Sequence, residues 1–126
     1  MGYYIHHAII VSCRDHARHM LVEAHQGATD RFDGMVSPLV QSPIGSMSSF
    51  FIAPDGSKEK WDESDVYDAK RESFMNFLDT FAYEDGSNEI EYAEVFYGTE
   101  DGTAGVKRHN SWGKTEGDAN AQIWRV

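Results

Sequence analysis

Histidine is the reactive side chain that recurs in this sequence, and three of its copies lie near the ends of predicted strands. His6 and His7 stand early in an apolar run, and His109 follows Arg108 at the end of the last predicted strand. If the last strand pairs with the first, these side chains meet at one edge of a sheet. One imidazole can then act as base and another as acid on a phosphodiester, or the imidazoles can bind a divalent metal. His6, His7 and His109 are therefore the candidate catalytic residues.

Two features of the sequence oppose this histidine site. Adjacent strand residues point to opposite faces, so His6 and His7 cannot join one site without a bulge. There is also no H-x-T pair of the kind that two-histidine phosphoesterases carry. The competing interpretation is ligand binding without catalysis, in which Lys107 and Arg108 locally reverse the negative field of the protein for a phosphate. The candidate ligand-binding residues are Lys107, Arg108, His109 and Trp112.

A second group of metal-ligating residue types lies on the first predicted helix. His16, His19 and Glu23 are spaced i, i+3 and i+7, which places two imidazoles and a carboxylate along one edge. The sequence indicates no distant residue that would complete the coordination of a metal. A solvated helix face with no metal gives the same spacing. These residues are weak metal candidates, and we predict no cofactor.

The periodicity of the sequence predicts the elements that must position these side chains. Alternating or continuous apolar runs indicate strands, and apolar residues at i, i+3, i+4 and i+7 indicate helices. Ser12 and Asp15 give an S-x-x-D helix start, and Gly27 gives a helix stop. The predicted order is a strand over 3–11, a helix, an edge strand over 35–41 interrupted by Pro38, a strand over 48–53, a helix from about Asp65, and a hairpin over 89–109.

The stretch 48–65 organises this arrangement, because a strand there ends in a tight turn that leads into the longer helix. Pro54 lacks the N–H that a ladder needs, Asp55 can accept from its downstream backbone, and Gly56 tolerates positive φ. Asp62 and Ser64 are the candidate N-caps of the helix. One stripe of this helix, apolar except for Arg71, comprises Tyr67, Arg71, Phe74, Phe77, Leu78 and Phe81.

Two helices against one mostly antiparallel sheet give an α+β fold, a ferredoxin-like or related two-layer sandwich. A chain of 126 residues fits one such domain, predicted over residues 1–109. Residues 110–126 lack a convincing period and contain Trp112 and Trp124. We expect them to form a tail that is mobile or docks on a partner subunit, which favours a homo-oligomer; the alternative is that Trp124 docks on the chain's own sheet.

Charge is distributed unevenly along the chain. The net charge is −10, and residues 55–101 alone carry 4 basic and 15 acidic residues, which gives −11. Binding to duplex nucleic acid requires cations that displace phosphate counterions, so we expect no direct duplex binding. The acidic middle is either a solubilising surface or a face that meets a basic partner.

Cysteine usage and hydropathy bear on the cellular compartment. Cys13 is the single cysteine and cannot form an internal disulfide, which favours a reducing cytoplasm. The N-terminal run lacks a basic segment, and two histidines interrupt it, so it is typical of a strand rather than a signal peptide. No segment approaches the roughly 20 apolar residues of a membrane span.

Three segments resemble a known group of sequences: YYIHHAIIVS near the start, SFFIAPDGSKEKWDESD in the middle, and VKRH at the end of the acidic hairpin. The chain is similar to a group of small uncharacterised proteins encoded by tailed bacteriophages, over most of residues 3–109. The resemblance implies a phage product in the host cytoplasm. It brings no established activity or catalytic residue.

Small acidic phage proteins often bind a host factor or sequester a signalling nucleotide, an analogy at the level of class. Together with the missing catalytic motif, this favours an accessory protein, active in counter-defence for example, that binds a host protein or a small phosphorylated ligand. The alternative is a histidine-based phosphodiesterase or metal-dependent hydrolase at the edge formed by His6, His7 and His109.

Overall fold

The computed structural model describes residues 3–111 of the chain. Short 3-10 turns precede and follow the first helix, at Asp15–Ala17 and Asp33–Met35. Across these residues, no helix combines the length and the apolar character that a bilayer span requires. The main elements are β1 (His6–Arg14), α1 (Arg18–Phe32), β2 (Val40–Gln41), β3 (Met47–Ile52), α2 (Asp62–Asp79), β4 (Glu91–Tyr97) and β5 (Gly105–His109).

The five strands form one antiparallel sheet in the order β2-β3-β1-β4-β5. The first six elements follow the β-α-β-β-α-β order of ferredoxin-like folds, and β5 is added at the edge beside β4. The predicted α+β two-layer sandwich is confirmed. The expectation that the last strand lies beside the first is wrong, because the hairpin places β4 between β1 and β5.

One face of the sheet packs on the two helices. Along β1, Ile9, Val11 and Cys13 are buried, whereas Ile10 on the opposite face is 47% exposed. Burial raises the pKa of Cys13 to about 11, so this thiol behaves as a core residue. The predicted stripe of α2 is confirmed, since its members are buried or pack against the core.

Two predicted ends of the first helix are wrong. Ser12 does not start the helix, because β1 continues to Arg14 and the Ser12 hydroxyl is 2.8 Å from that of Ser49 on β3. Gly27 does not end it, because α1 continues to Phe32. A Cβ at Gly27 would lie 2.5 Å from Cε2 of Phe77, so glycine serves there for close contact between the helices.

The turn that leads into α2 follows its prediction. Oδ1 of Asp55 accepts the Ser57 backbone N–H at 2.7 Å, and Gly56 has a φ of 84°. The helix begins earlier than expected, at Asp62, with Trp61 at the N-cap position and no side-chain cap. The predicted caps Asp62 and Ser64 lie inside the helix instead.

The predicted tail boundary falls close to where the described residues end. Asn110 still belongs to the folded unit, since its side-chain oxygen accepts the Tyr92 N–H at 2.9 Å and its amide donates to the Ile90 carbonyl at 2.8 Å. The ligand-binding candidate Trp112, and Trp124, lie outside the described residues.

Candidate ligand-binding groove

The structure separates the three histidines that were candidates for one catalytic site. His6 pairs with Tyr97 on β4, whereas His109 pairs with Ala93, four residues away along that strand. At 3.2 to 3.4 Å of rise per residue, four residues correspond to about 13 Å, and β4 also lies between the two histidines. The expected juxtaposition of His6, His7 and His109 is therefore wrong.

His6 and His7 lie on opposite faces of β1, as strand geometry requires. The His6 ring stacks on Tyr4 and contacts Tyr97, with centroids at 6.0 and 5.2 Å. The His7 side chain is 10% exposed, and its Nδ1 lies 3.3 Å from Oε2 of Glu94 in the interior. The two imidazoles thus serve different environments and share no ligand position.

The three metal candidates on the first helix are not brought together either. His16 lies in the 3-10 turn before α1, and its Nε2 is 3.1 Å from a carboxylate oxygen of Glu89. His19 and Glu23 are exposed on α1 itself. Among residues 3–111, no group of three histidine, cysteine or acidic side chains is arranged to hold a metal ion.

Lys107 and Arg108, two of the predicted ligand-binding residues, line a groove between α2 and the β4–β5 hairpin. The groove has a volume of about 510 Å³, within the range of small-ligand sites. Arg108 donates to Asn76 and to Asp79, both at 2.9 Å. The guanidinium is therefore engaged by α2 and forms the end of the groove wall. His109 accepts the Ser111 backbone N–H at 3.2 Å.

Carboxylates dominate the other side of the groove. Asp65, Asp68 and Glu72 lie along one edge of α2 at i, i+3 and i+7, and Glu94 of β4 completes the set. Ala69 and Met75 supply the apolar part of the lining. With four acids and two bases, the lining has a formal net charge of −2.

A buried ionic cluster lies behind this lining, centred on Arg71, whose side chain is 3% exposed. Its Nη1 is 2.9 Å from Oδ2 of Asp55, its Nη2 donates to Asp68, and its Nε lies 3.5 Å from Oε2 of Glu94. One guanidinium therefore faces three carboxylates from α2, β4 and the turn after β3. Such a cluster holds α2 at a fixed position over the sheet.

Hydrogen bonding controls the charge of Asp55 within this cluster. Burial alone would raise its pKa, but hydrogen bonds from Ser57 and from Arg71 outweigh burial and hold the pKa below its ordinary value. Asp55 therefore stays ionised throughout the neutral range and anchors Arg71 from the turn side.

Three polar atoms of the cluster have no hydrogen-bond partner although they are buried: Nδ1 of His7, Nε of Arg71 and Oε2 of Glu94. They lie together, since Oε2 is 3.3 Å from the first and 3.5 Å from the second. Glu94 is 2% exposed and also lines the groove. A buried and incompletely bonded carboxyl group that lines a groove is the strongest chemical feature of the described residues.

The sequence pattern places Arg71 on the stripe of α2 but indicates no partner for it. A signal for Glu94 was present, because Tyr92, Glu94 and Phe96 alternate onto the same face. A charged residue among aromatic residues on a buried face indicates an interior ion pair.

Comparison of the chain with protein-family models, with curated proteins and with solved structures finds no match. The function must therefore be argued from the groove and its charges.

Proposed function

We propose that this chain is a non-enzymatic binding protein that captures a host protein of basic character through an acidic surface on α2. The resemblance to phage-encoded proteins supports a bacterial host protein as the partner and the host cytoplasm as the place of the encounter. The acidic surface comprises the exposed residues Asp62, Glu63, Asp65 and Glu72. The observation that carries the proposal is this concentration of exposed acids, which lies beside a groove lined by four carboxylates and two cations.

The charge distribution supports capture of a basic partner. Three acids stand in the first turn of α2, and the groove continues the negative surface toward the hairpin. Concentrated charge of one sign accelerates the encounter with a partner of opposite sign and disfavours partners of the same sign. We therefore expect the association rate to fall steeply as ionic strength rises.

Capture of a small phosphorylated ligand is the second candidate, and the observation that favours it is the position of Lys107 and Arg108 on the groove wall. Against it, the groove carries a net negative lining and Arg108 already bonds Asp79. A phosphate brings further negative charge to four carboxylates, which costs electrostatic energy. Histidine-based phosphodiester cleavage is disfavoured because His6, His7 and His109 do not assemble.

The test uses a neutralised variant of the acidic surface, Asp62→Asn/Glu63→Gln/Asp65→Asn/Glu72→Gln. Its control carries the same charge change elsewhere, as Glu23→Gln/Asp30→Asn/Glu84→Gln/Glu100→Gln. A host protein retained from bacterial extract by the wild-type chain is purified, and its binary affinity is measured at two salt concentrations. We expect the surface variant to lose at least about tenfold in affinity, about 1.4 kcal/mol, with the control close to wild type. Equal losses in the two variants would mean that net charge alone acts, and tight binding of a nucleotide with no protein partner would favour the second candidate.

A further inference from the structure

We propose that the groove between α2 and β5 is a binding site for one cationic side chain, arginine or lysine, of the captured protein, with its charge against Glu94. This inference rests on the proposed function and adds the chemistry of the contact. It concerns the floor and the rear wall of the groove, whereas the proposed function rests on the exposed acids of α2.

The first argument is the balance of charge in the buried cluster. Arg71 is shared by Asp55, Asp68 and Glu94, and His7 carries charge only when it is protonated. One permanent cation faces the two buried carboxylates of Asp55 and Glu94 and the partly exposed carboxylate of Asp68, so acids outnumber permanent cations in the cluster. Buried charge is stable only when it is paired, so the cluster is suited to accept one further cation.

The second argument is the incomplete hydrogen bonding of Glu94, which is independent of the number of acids. Its Oε2 is buried and accepts no hydrogen bond, although the residue lines the groove. Folded proteins leave few buried acceptors unpaired, because each retains the full cost of its desolvation. A donor that enters the groove can bond the carboxylate of Glu94 and allow Arg71 and His7 to settle around it.

The third argument is the shape of the lining. Ala69 and Met75 supply the apolar part of the groove lining. The aliphatic stems of arginine and lysine bury readily along such surfaces while their charged ends find carboxylates. Asp65 and Glu72, on the exposed edge of α2, stand where the cation would enter.

The opposite wall distinguishes a protein side chain from a free polyamine. The Lys107 side chain forms no hydrogen bond or ion pair with any residue in 3–111 and can donate to an acceptor that enters the groove. A residue of a bound protein brings backbone carbonyls together with its cation, so both walls of the groove are used. A polyamine has donors only and offers Lys107 no acceptor.

The experiment titrates the isotope-labelled full chain with N-acetyl-arginine amide and N-acetyl-lysine amide, followed by amide chemical shifts. The control ligand is N-acetyl-citrulline amide, which keeps the shape of arginine but has no charge. We expect saturable shifts at Asp68, Ala69 and Lys107 with dissociation constants in the millimolar range, about 4 kcal/mol of binding. The neutral analogue should bind at least about tenfold more weakly. Equal shifts with the neutral analogue, or no saturable shift with either cation, would overturn the proposal.

Two variants locate the contact. Glu94→Gln keeps the shape of the floor and removes its charge, and Ala69→Phe fills the groove from an exposed position without touching the buried cluster. Each should weaken the arginine probe at least about fivefold, whereas Glu100→Gln, distant on the hairpin turn, should not. If Glu94→Gln unfolds the chain, Ala69→Phe decides alone, and unchanged affinity in it overturns the proposal.

The same two variants separate this inference from the proposed function. If the neutralised α2 surface loses the host protein but Glu94→Gln and Ala69→Phe retain it, the proposed function stands and the groove does not take a partner side chain. If the neutralised surface retains the host protein, the proposed function fails whatever the small probes show.

Discussion

At the scale of single residues, Arg71 decides whether α2 and the sheet hold together. It is buried on the helix and meets carboxylates from two other parts of the chain. A buried ion pair adds little over a well-packed apolar replacement, but removing one partner leaves the others without compensation. Removing Arg71 is therefore expected to cost more folding free energy than its ion pairs contribute to stability.

We expect Arg71→Met to lower the free energy of unfolding by about 3–5 kcal/mol, because three carboxylates are left around an apolar side chain. Urea titration of the variant measures the loss. Arg14→Met is the matched control, since Arg14 is exposed and its side chain forms no hydrogen bond or ion pair with the described residues. A loss below about 1 kcal/mol in Arg71→Met would show that water satisfies the three carboxylates when the guanidinium is absent.

The acid dependence of stability follows from Asp55. Its folded-state pKa is lowered, so its contribution is fully present above the unfolded pKa of about 3.9 and is lost as the pH falls through the folded value. Wild type should therefore lose stability between pH 5 and strongly acidic pH, and Asp55→Asn should lose less over the same interval. Urea midpoints at several pH values measure the difference, with Asp62→Asn as the control on exposed α2. Parallel curves for wild type and Asp55→Asn would contradict the assignment.

At the scale of elements, the contact between the helices is closer than the sequence indicates. A glycine inside a helix normally weakens it relative to alanine. Gly27 instead faces the ring of Phe77. The guanidinium of Arg31 lies over the same ring, 5.0 Å from its centroid. The absence of a side chain lets the two helices approach. The local sequence predicted a helix end at this glycine. Its actual role in packing could not be recognised locally, because the ring that it contacts lies 50 positions away.

We expect Gly27→Ala to destabilise the protein by about 1–3 kcal/mol, because overpacking against Phe77 exceeds the gain in helix propensity. Gly34→Ala is the control, since a Cβ at Gly34 meets nothing within 4 Å. Thermal unfolding of both variants measures the effect. The double variant Gly27→Ala/Phe77→Leu should recover part of the loss, and a stabilised Gly27→Ala would show that the ring moves aside freely.

Local chemistry in the sequence was enough to predict the turn at Asp55, the stripe of α2 and the α+β class, because each depends on neighbours in the chain. The position of β5 was not predictable in this way, since a hairpin can add to either edge of a sheet. The candidate site likewise has one part that local sequence indicates and another that depends on tertiary packing. Lys107 and Arg108 were found from their charge, but the partnership of Arg71 with Glu94 depends on the packing of a helix over a strand.

At the scale of the whole molecule, the acidic excess lies mainly on one part of the fold. Residues 55–101 include α2 and β4, which form the groove, while β1 and β3 pair beside them with few charges. A protein arranged in this way can present its negative surface to a basic partner and keep other surfaces for contacts of weaker charge. Self-association through such weakly charged surfaces is compatible with a net charge of −10.

The last prediction concerns self-association. We expect the chain to form a homo-oligomer in which the tryptophans of the C-terminal segment anchor a second copy, because tryptophan is enriched among the residues that carry the energy of protein interfaces. The test deletes residues 112–126 and keeps Asn110, which bonds the backbone of Tyr92 and Ile90. Light scattering of the full chain should give at least twice the protomer mass of 14.2 kDa, and the deletion should reduce it to a single protomer. The substitution of both Trp112 and Trp124 by alanine is the control for the length of the segment. A full chain that scatters as a single protomer contradicts the oligomer, and an oligomer that survives the deletion assigns the contact to residues 1–111.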